Sequence, residues 1–136
     1  DAVFDFVCCS LGTGGTISGI INSILPHQKV LGFPSLKGDF LKEEIRNFVR
    51  INPNWELITD YHFGGYGKIS PELIDFIYQF YATTKIPLDP IYTGKMVFGV
   101  IDLISQGCFP ENSKILMIHS GGLQGNRSLP AGTLLF

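Results

Sequence analysis

The chain has 136 residues, 45% of them hydrophobic and 16% charged, with a formal net charge of −2. That composition supports one packed domain and excludes a disordered chain. Lys and Arg are scattered with no basic patch for nucleic acid, and no apolar run is long enough for a membrane span. The three cysteines (Cys8, Cys9 and Cys108) fit neither a disulfide framework nor a metal site, so a reducing cytoplasm is expected.

The opening "DAVFDFVCCS" lacks an initiator Met and runs directly into a strand, as expected of a chain cut from a longer one. Val3 to Cys9 is β-branched and aromatic, with Asp5 the one interruption, and predicts a strand buried on both faces. "SLGTGGTISG" follows, and "TISGIINSIL" then places Ile17, Ile20, Ile21 and Ile24 at helical spacing, ended by Pro26. "KVLGF", from Lys29 to Phe33, is a second strand. Asp39 is positioned to cap a helix whose stripe is Phe40, Leu41, Ile45, Phe48 and Val49. "WELI" is a third strand candidate, and "DYHFGGYGKI" is a glycine-rich aromatic loop.

Ser70 followed by Pro71 and Glu72 marks a helix start, with Leu73, Ile74, Ile77, Phe80 and Tyr81 on its apolar face. "KIPLDPIYTGK" predicts an extended connector pinned by Pro87 and Pro90. "MVFGVIDLISQG" is a helix ending at Gly107, and Lys114 to His119 is a strand leading into a second glycine loop. The alternation predicts an α/β fold: three αβα layers on a mostly parallel sheet.

Three stretches carry chemistry. "LGTGGTISG" joins a strand to a helix, where backbone N–H groups and the helix dipole favour an anion. It is neither a Walker A loop nor a dinucleotide fingerprint, and a plain tight turn is the competing reading. In "IPLDPIYTGK", Tyr92 offers a ring and a phenol and Thr93 a hydroxyl, against the plainer readings of a half-buried Tyr and a helix cap. "IHSGGLQG" again ends a strand in small polar residues. Ser10 to Thr16 and Ser120 to Gly122 are therefore expected on one rim, at the carboxyl ends of the strands. His119 reads as hydrogen-bonded structure rather than a base; His62, within the tyrosine loop, is a lesser candidate for touching a substrate carboxylate.

Together, "LGTGGTISG", "YHFGGYGKISPELIDF", "IPLDPIYTGKM" and "MIHSGGLQG" resemble the pyridoxal-phosphate enzymes of the tryptophan-synthase-β fold group. More narrowly they resemble the 1-aminocyclopropane-1-carboxylate deaminase and D-cysteine desulfhydrase branch, from Val3 to about Leu129. The resemblance implies that Gly12, Thr13, Gly14, Gly15 and Thr16 hold the phosphate of pyridoxal 5′-phosphate. It implies that Tyr92 and Tyr66 are active-site tyrosines, that Thr93 meets the pyridine nitrogen, and that Ser120 lies near cofactor or substrate.

Where deaminases of the branch carry Glu after the tyrosine, this chain carries Thr93. A hydroxyl leaves the pyridine neutral and a weaker electron sink, which favours β-elimination from D-cysteine over opening of a cyclopropane. Deamination of 1-aminocyclopropane-1-carboxylate is the alternative, and a non-catalytic phosphate-binding domain is the rival from another class. The resemblance further implies a homodimer acting on a small amino acid. Residues 1–136 would form the C-terminal part of the cofactor-binding large domain, with the Schiff-base lysine and the small domain upstream. Neither Lys68 nor Lys95 matches that lysine, and both read as structural or solvent-facing. The segment alone is expected to be inactive.

Overall fold

A computed structural model describes residues 4–12, 15–36, 40–49, 54–121 and 123–134. Among these described residues, four strands form one all-parallel sheet: β1 (Phe6–Leu11), β2 (Lys29–Pro34), β3 (Trp55–Leu57) and β4 (Ile115–Met117), in the order β3-β2-β1-β4. Helices α1 (Gly15–Ser23) and α2 (Phe40–Phe48) connect the first three strands. Helices α3 (Pro71–Thr84) and α4 (Thr93–Ser105) lead to β4.

The side-chain alternation of β1 and β2 sorts the core into two layers. Cys8, Leu31 and Phe33 face Leu73, Ile77, Met96, Val97 and Val100 of α3 and α4. Cys9, Leu11 and Val30 face Ile17, Ile21, Leu41 and Ile45 of α1 and α2. The architecture is thus the expected three layers. Adjacent Cys8 and Cys9 point to opposite faces, and burial pushes each thiol up to about 12, so they pack as hydrophobes.

Two glycines set the layer spacing. A Cβ on Gly32 would meet Ile17 of α1, and a Cβ on Gly99 would come within 2.8 Å of the Phe33 ring and 2.9 Å of the Tyr61 ring.

Ser70 caps α3 as predicted: its side chain accepts from the Leu73 N–H at 3.2 Å, with Pro71 at the first helical position. Other boundaries shift. β1 runs from Phe6 to Leu11 rather than from Val3, which lies outside the described residues, as does the expected cap Asp39. β4 is regular only over Ile115–Met117, although Ile118 still donates to the Cys8 carbonyl. The second glycine loop continues as a short 3-10 helix, Leu123–Ser128.

The largest correction concerns the connector. α4 begins at Thr93, not Met96, and Pro90 to Tyr92 form a turn leading into it. Asp89 precedes Pro90, so an acceptor followed by a proline starts a helical turn here, as in an ordinary helix N-terminus.

Candidate active site

β1 has β2 on one side and β4 on the other, and the chain reaches those neighbours by opposite routes. Such a switch point opens a crevice at the carboxyl ends of the strands. A cleft of about 270 Å³ lies there, lined by Ser10, Leu11 and Gly12 at the end of β1, Thr16 of α1, Tyr92 before α4, and Ser120 and Gly121 after β4. The two strand ends expected on one rim do meet. A second cavity of about 450 Å³, lined by Phe6, Leu31, Leu103 and Phe109 beside the Lys29–Glu56 ion pair, has no comparable glycine and hydroxyl lining.

The cleft suits an anion at one end. α1 has no acidic residue in its first turn, so its N-terminal dipole is uncompensated there, beside Gly12 and the exposed Thr16 hydroxyl. Gly15 opens that helix; Thr13 and Gly14 lie outside the described residues. Gly12 is required by proximity. A Cβ there would come 3.2 Å from Cε1 and 3.3 Å from Oη of Tyr92.

Tyr92 also meets Tyr66. The ring centroids are 6.1 Å apart at 60°, and Tyr92 Oη donates to Tyr66 Oη at 3.4 Å, long for a hydroxyl pair. The hydrogen bond to Tyr66, partial burial and the nearby Asp89 charge raise the Tyr92 phenol to about 12. Tyr92 therefore carries its proton at neutral pH. Tyr66 is 54% exposed.

Thr93 departs from its expected place. It is 1% exposed and absent from the described lining of the cleft. Its Oγ1 donates to Asp89 Oδ1 at 2.7 Å and accepts from the Asp89 N–H at 3.0 Å. Both roles of the hydroxyl are thus taken up within the chain, leaving no free donor for a ring nitrogen. Asp89, 0% exposed, also accepts from the backbone N–H groups of Ile91, Tyr92 and Thr93 at 2.9 Å each. A buried carboxylate already occupies the positive end of α4, so of these two helix starts only that of α1 faces the cleft unneutralised. Ser120, by contrast, does line the cleft.

Lys95 is not solvent-facing. It is 1% exposed and its Nζ donates to the Gly65 carbonyl at 3.0 Å. Burial lowers the amine to about 8, against the Asp89 charge that raises it. Lys68 is exposed, and neither amine lines the cleft among the described residues.

Both ring nitrogens of His119 are engaged: Nδ1 accepts from the Gly121 N–H at 3.0 Å and Nε2 lies 2.7 Å from the Pro87 carbonyl. The second contact fixes the tautomer with hydrogen on Nε2, a structural role. His62 Nδ1 accepts from the Gly64 N–H at 2.9 Å, within its own loop. Asp89 and Lys95 are the residues that local spacing does not expose. The Asp-Pro pair was a legible cap signal for the first, but no sequence signal marks the second.

Pyridoxal 5′-phosphate matches this cleft in chemistry. An uncompensated helix start, a glycine that a Cβ would close against Tyr92, and the hydroxyls of Thr16 and Ser120 suit a phosphate attached to a polar ring.

No family model matches the chain. It is 36% identical over 135 residues to a Pyrococcus horikoshii protein provisionally named a 1-aminocyclopropane-1-carboxylate deaminase, with 90% of this chain and 41% of that protein covered. It is 33% identical over 138 residues to the mitochondrial bifunctional D-cysteine desulfhydrase/1-aminocyclopropane-1-carboxylate deaminase of Arabidopsis thaliana, with 92% and 34% covered. Among solved structures, an "ACC deaminase homologue" superposes with a TM-score of 0.79 at 32% identity, over 93% of this chain and 42% of that one. The chain spans about 40% of the length of the curated relatives it matches.

Proposed function

We propose that the chain belongs, over about nine-tenths of its length, to the 1-aminocyclopropane-1-carboxylate deaminase and D-cysteine desulfhydrase family, and that the whole protein degrades a small amino acid. The family works with pyridoxal 5′-phosphate. Gly12, Thr16 and the start of α1 hold its phosphate, with Thr13 to Gly15 completing the loop. Ser120 is the hydroxyl available to the ring, and Tyr92 and Tyr66 flank the substrate. When bound, the cofactor supplies an electron sink for charge developing at the substrate α-carbon.

The reaction we favour is desulfhydration of D-cysteine to pyruvate, sulfide and ammonia. One observation carries this choice: among the described residues, no carboxylate lines the cleft. Asp89, bonded to three N–H groups and to Thr93, is buried behind Tyr92. Neutral hydroxyls leave a ring nitrogen unprotonated and the sink shallow, enough for a substrate with a good β-leaving group. Tyr92 Oη, which lines the cleft and keeps its proton at neutral pH, is a hydrogen-bond donor for a departing thiolate. The preference thus rests on the described lining of the cleft rather than on a contact from Thr93. Deamination of 1-aminocyclopropane-1-carboxylate to 2-oxobutyrate is the second reading, supported by the names of the relatives.

The covalent lysine and the small domain belong to the rest of the protein. Lys68 is exposed and Lys95 is tied to Gly65, which supports an anchor elsewhere. The intact enzyme is proposed to be a cytoplasmic homodimer. Assays of the full-length protein with both substrates decide between the readings. Sulfide with pyruvate from D-cysteine supports the first, and 2-oxobutyrate without sulfide overturns it. D-cysteine turnover by these 136 residues alone would refute the placement of the lysine.

A further inference from the structure

The loop from Tyr61 to Tyr66 runs antiparallel to α4 and touches one stripe of it, residue by residue. Tyr61 Oη donates to Asp102 Oδ2 at 2.7 Å. Phe63 packs edge-on against Phe98, with centroids 5.0 Å apart. Lys95 Nζ donates to the Gly65 carbonyl at 3.0 Å, and Tyr66 meets Tyr92 at the cleft. The helix partners 102, 98, 95 and 92 are spaced three or four apart, so they share one face.

We propose that Lys95 is a positioning residue, whose ammonium sets the register of the Tyr61–Tyr66 loop on α4 and so delivers Tyr66 to Tyr92. This rests on the reading of those tyrosines as active-site residues. The loop cannot hold this shape through a regular backbone ladder: Phe63, Gly64, Gly65 and Gly67 have φ of 57°, 101°, 127° and 69°. Its internal hydrogen bonds are short-range, from Gly64 and Gly65 back to His62 and from Lys68 to the Gly65 carbonyl. The ties to α4 must therefore set its placement, and Lys95 makes the last of them before Tyr66. An amine at 1% exposure is an expensive choice where an apolar chain of similar length would pack. Its ammonium donates to the carbonyl directly preceding Tyr66.

The test uses the full-length holoenzyme. In Lys95→Met, backbone hydrogen exchange over residues 62–68 should accelerate about tenfold or more while residues 97–104 keep their protection. Turnover should fall about fivefold with KM within about twofold. In a Tyr66→Phe background the same change should cost less than about twofold, because the lysine acts through that tyrosine. Unchanged exchange over 62–68, or losses that multiply across the two backgrounds, overturn the proposal. If exchange rises but Tyr66→Phe leaves turnover intact, the positioning role stands and the catalytic reading of Tyr66 falls. Should Lys95→Met fail to fold, Lys95→Gln, with a shorter uncharged donor, carries the same readouts.

Discussion

Thr93 and Asp89 are joined by three hydrogen bonds: the Thr93 hydroxyl to Oδ1 at 2.7 Å, the Thr93 N–H to Oδ1 at 2.9 Å, and the Asp89 N–H to Thr93 Oγ1 at 3.0 Å. The pair closes the start of α4 and holds Tyr92 between its capped turn and the cleft. Thr93→Val keeps the volume and removes the hydroxyl, leaving the Asp89 N–H without its acceptor in a buried place. A loss of about 1–3 kcal/mol is expected in urea unfolding of the full-length protein.

Thr93→Glu is expected to damage the fold rather than exchange substrates. The new carboxylate would replace the hydroxyl that bonds buried Asp89 and stand beside that charge. Like charges in such a place are strongly unfavourable. The expected result is a lower urea midpoint and loss of turnover with both substrates. A gain of 1-aminocyclopropane-1-carboxylate turnover would mean that residue 93 does face the ring.

Gly12→Ala tests the contact between the loop and the tyrosine. The added Cβ lies 3.2 Å from the Tyr92 ring, which must move by a few tenths of an ångström. The ring borders an open cleft, so the stability change should stay under about 1 kcal/mol, below ordinary overpacking. Turnover should fall about tenfold, since small misplacements at a reacting centre are costly. Steady-state kinetics alongside urea unfolding separates the two effects.

High pH should destabilise the protein through its tyrosines. Tyr92 and Tyr61 rise to about 12, Tyr92 through its hydrogen bond to Tyr66 and Tyr61 through burial and its bond to Asp102. Each folded pKa exceeds the unfolded value near 10. Their contribution is therefore complete below about pH 10 and lost as pH rises toward 12. Tyr66→Phe should shift the Tyr92 titration downward, read by phenolate absorbance near 295 nm.

Lys95 acts in the opposite sense. Its folded pKa, near 8, lies below the ordinary lysine value. The folded state is penalised while the amine is charged, and the penalty is relieved as pH rises from about 8 to about 10.5. The stability of wild type relative to Lys95→Met should therefore rise across that window. A flat difference would mean that the amine ionises as freely folded as unfolded.

Much of the fold is legible from short-range patterns. The continuous apolar runs that become the doubly buried strands β1 and β2, and the Ser-Pro start of α3, depend on neighbours within a few residues, so local chemistry encodes them. The rim of Ser10, Gly12, Thr16 and Ser120 follows from the rule that parallel strands present their carboxyl ends together. Thr93 misleads for the same reason: its position in "YTGK" is visible, but the direction of its hydroxyl depends on a buried carboxylate four residues earlier.

The sequence by itself determined the alternating strands and helices, the glycine loop before α1, and the resemblance to the deaminase and desulfhydrase branch, because apolar periodicity and the "LDPIYTGK" segment are local properties. Only the tertiary structure decided which groups face the cleft. Tyr66 and Tyr92 meet across 26 residues, and Lys95 reaches Gly65 across 30. Such contacts form when a loop closes on a helix already packed against the sheet. They are set by the register of whole elements, which no local spacing records.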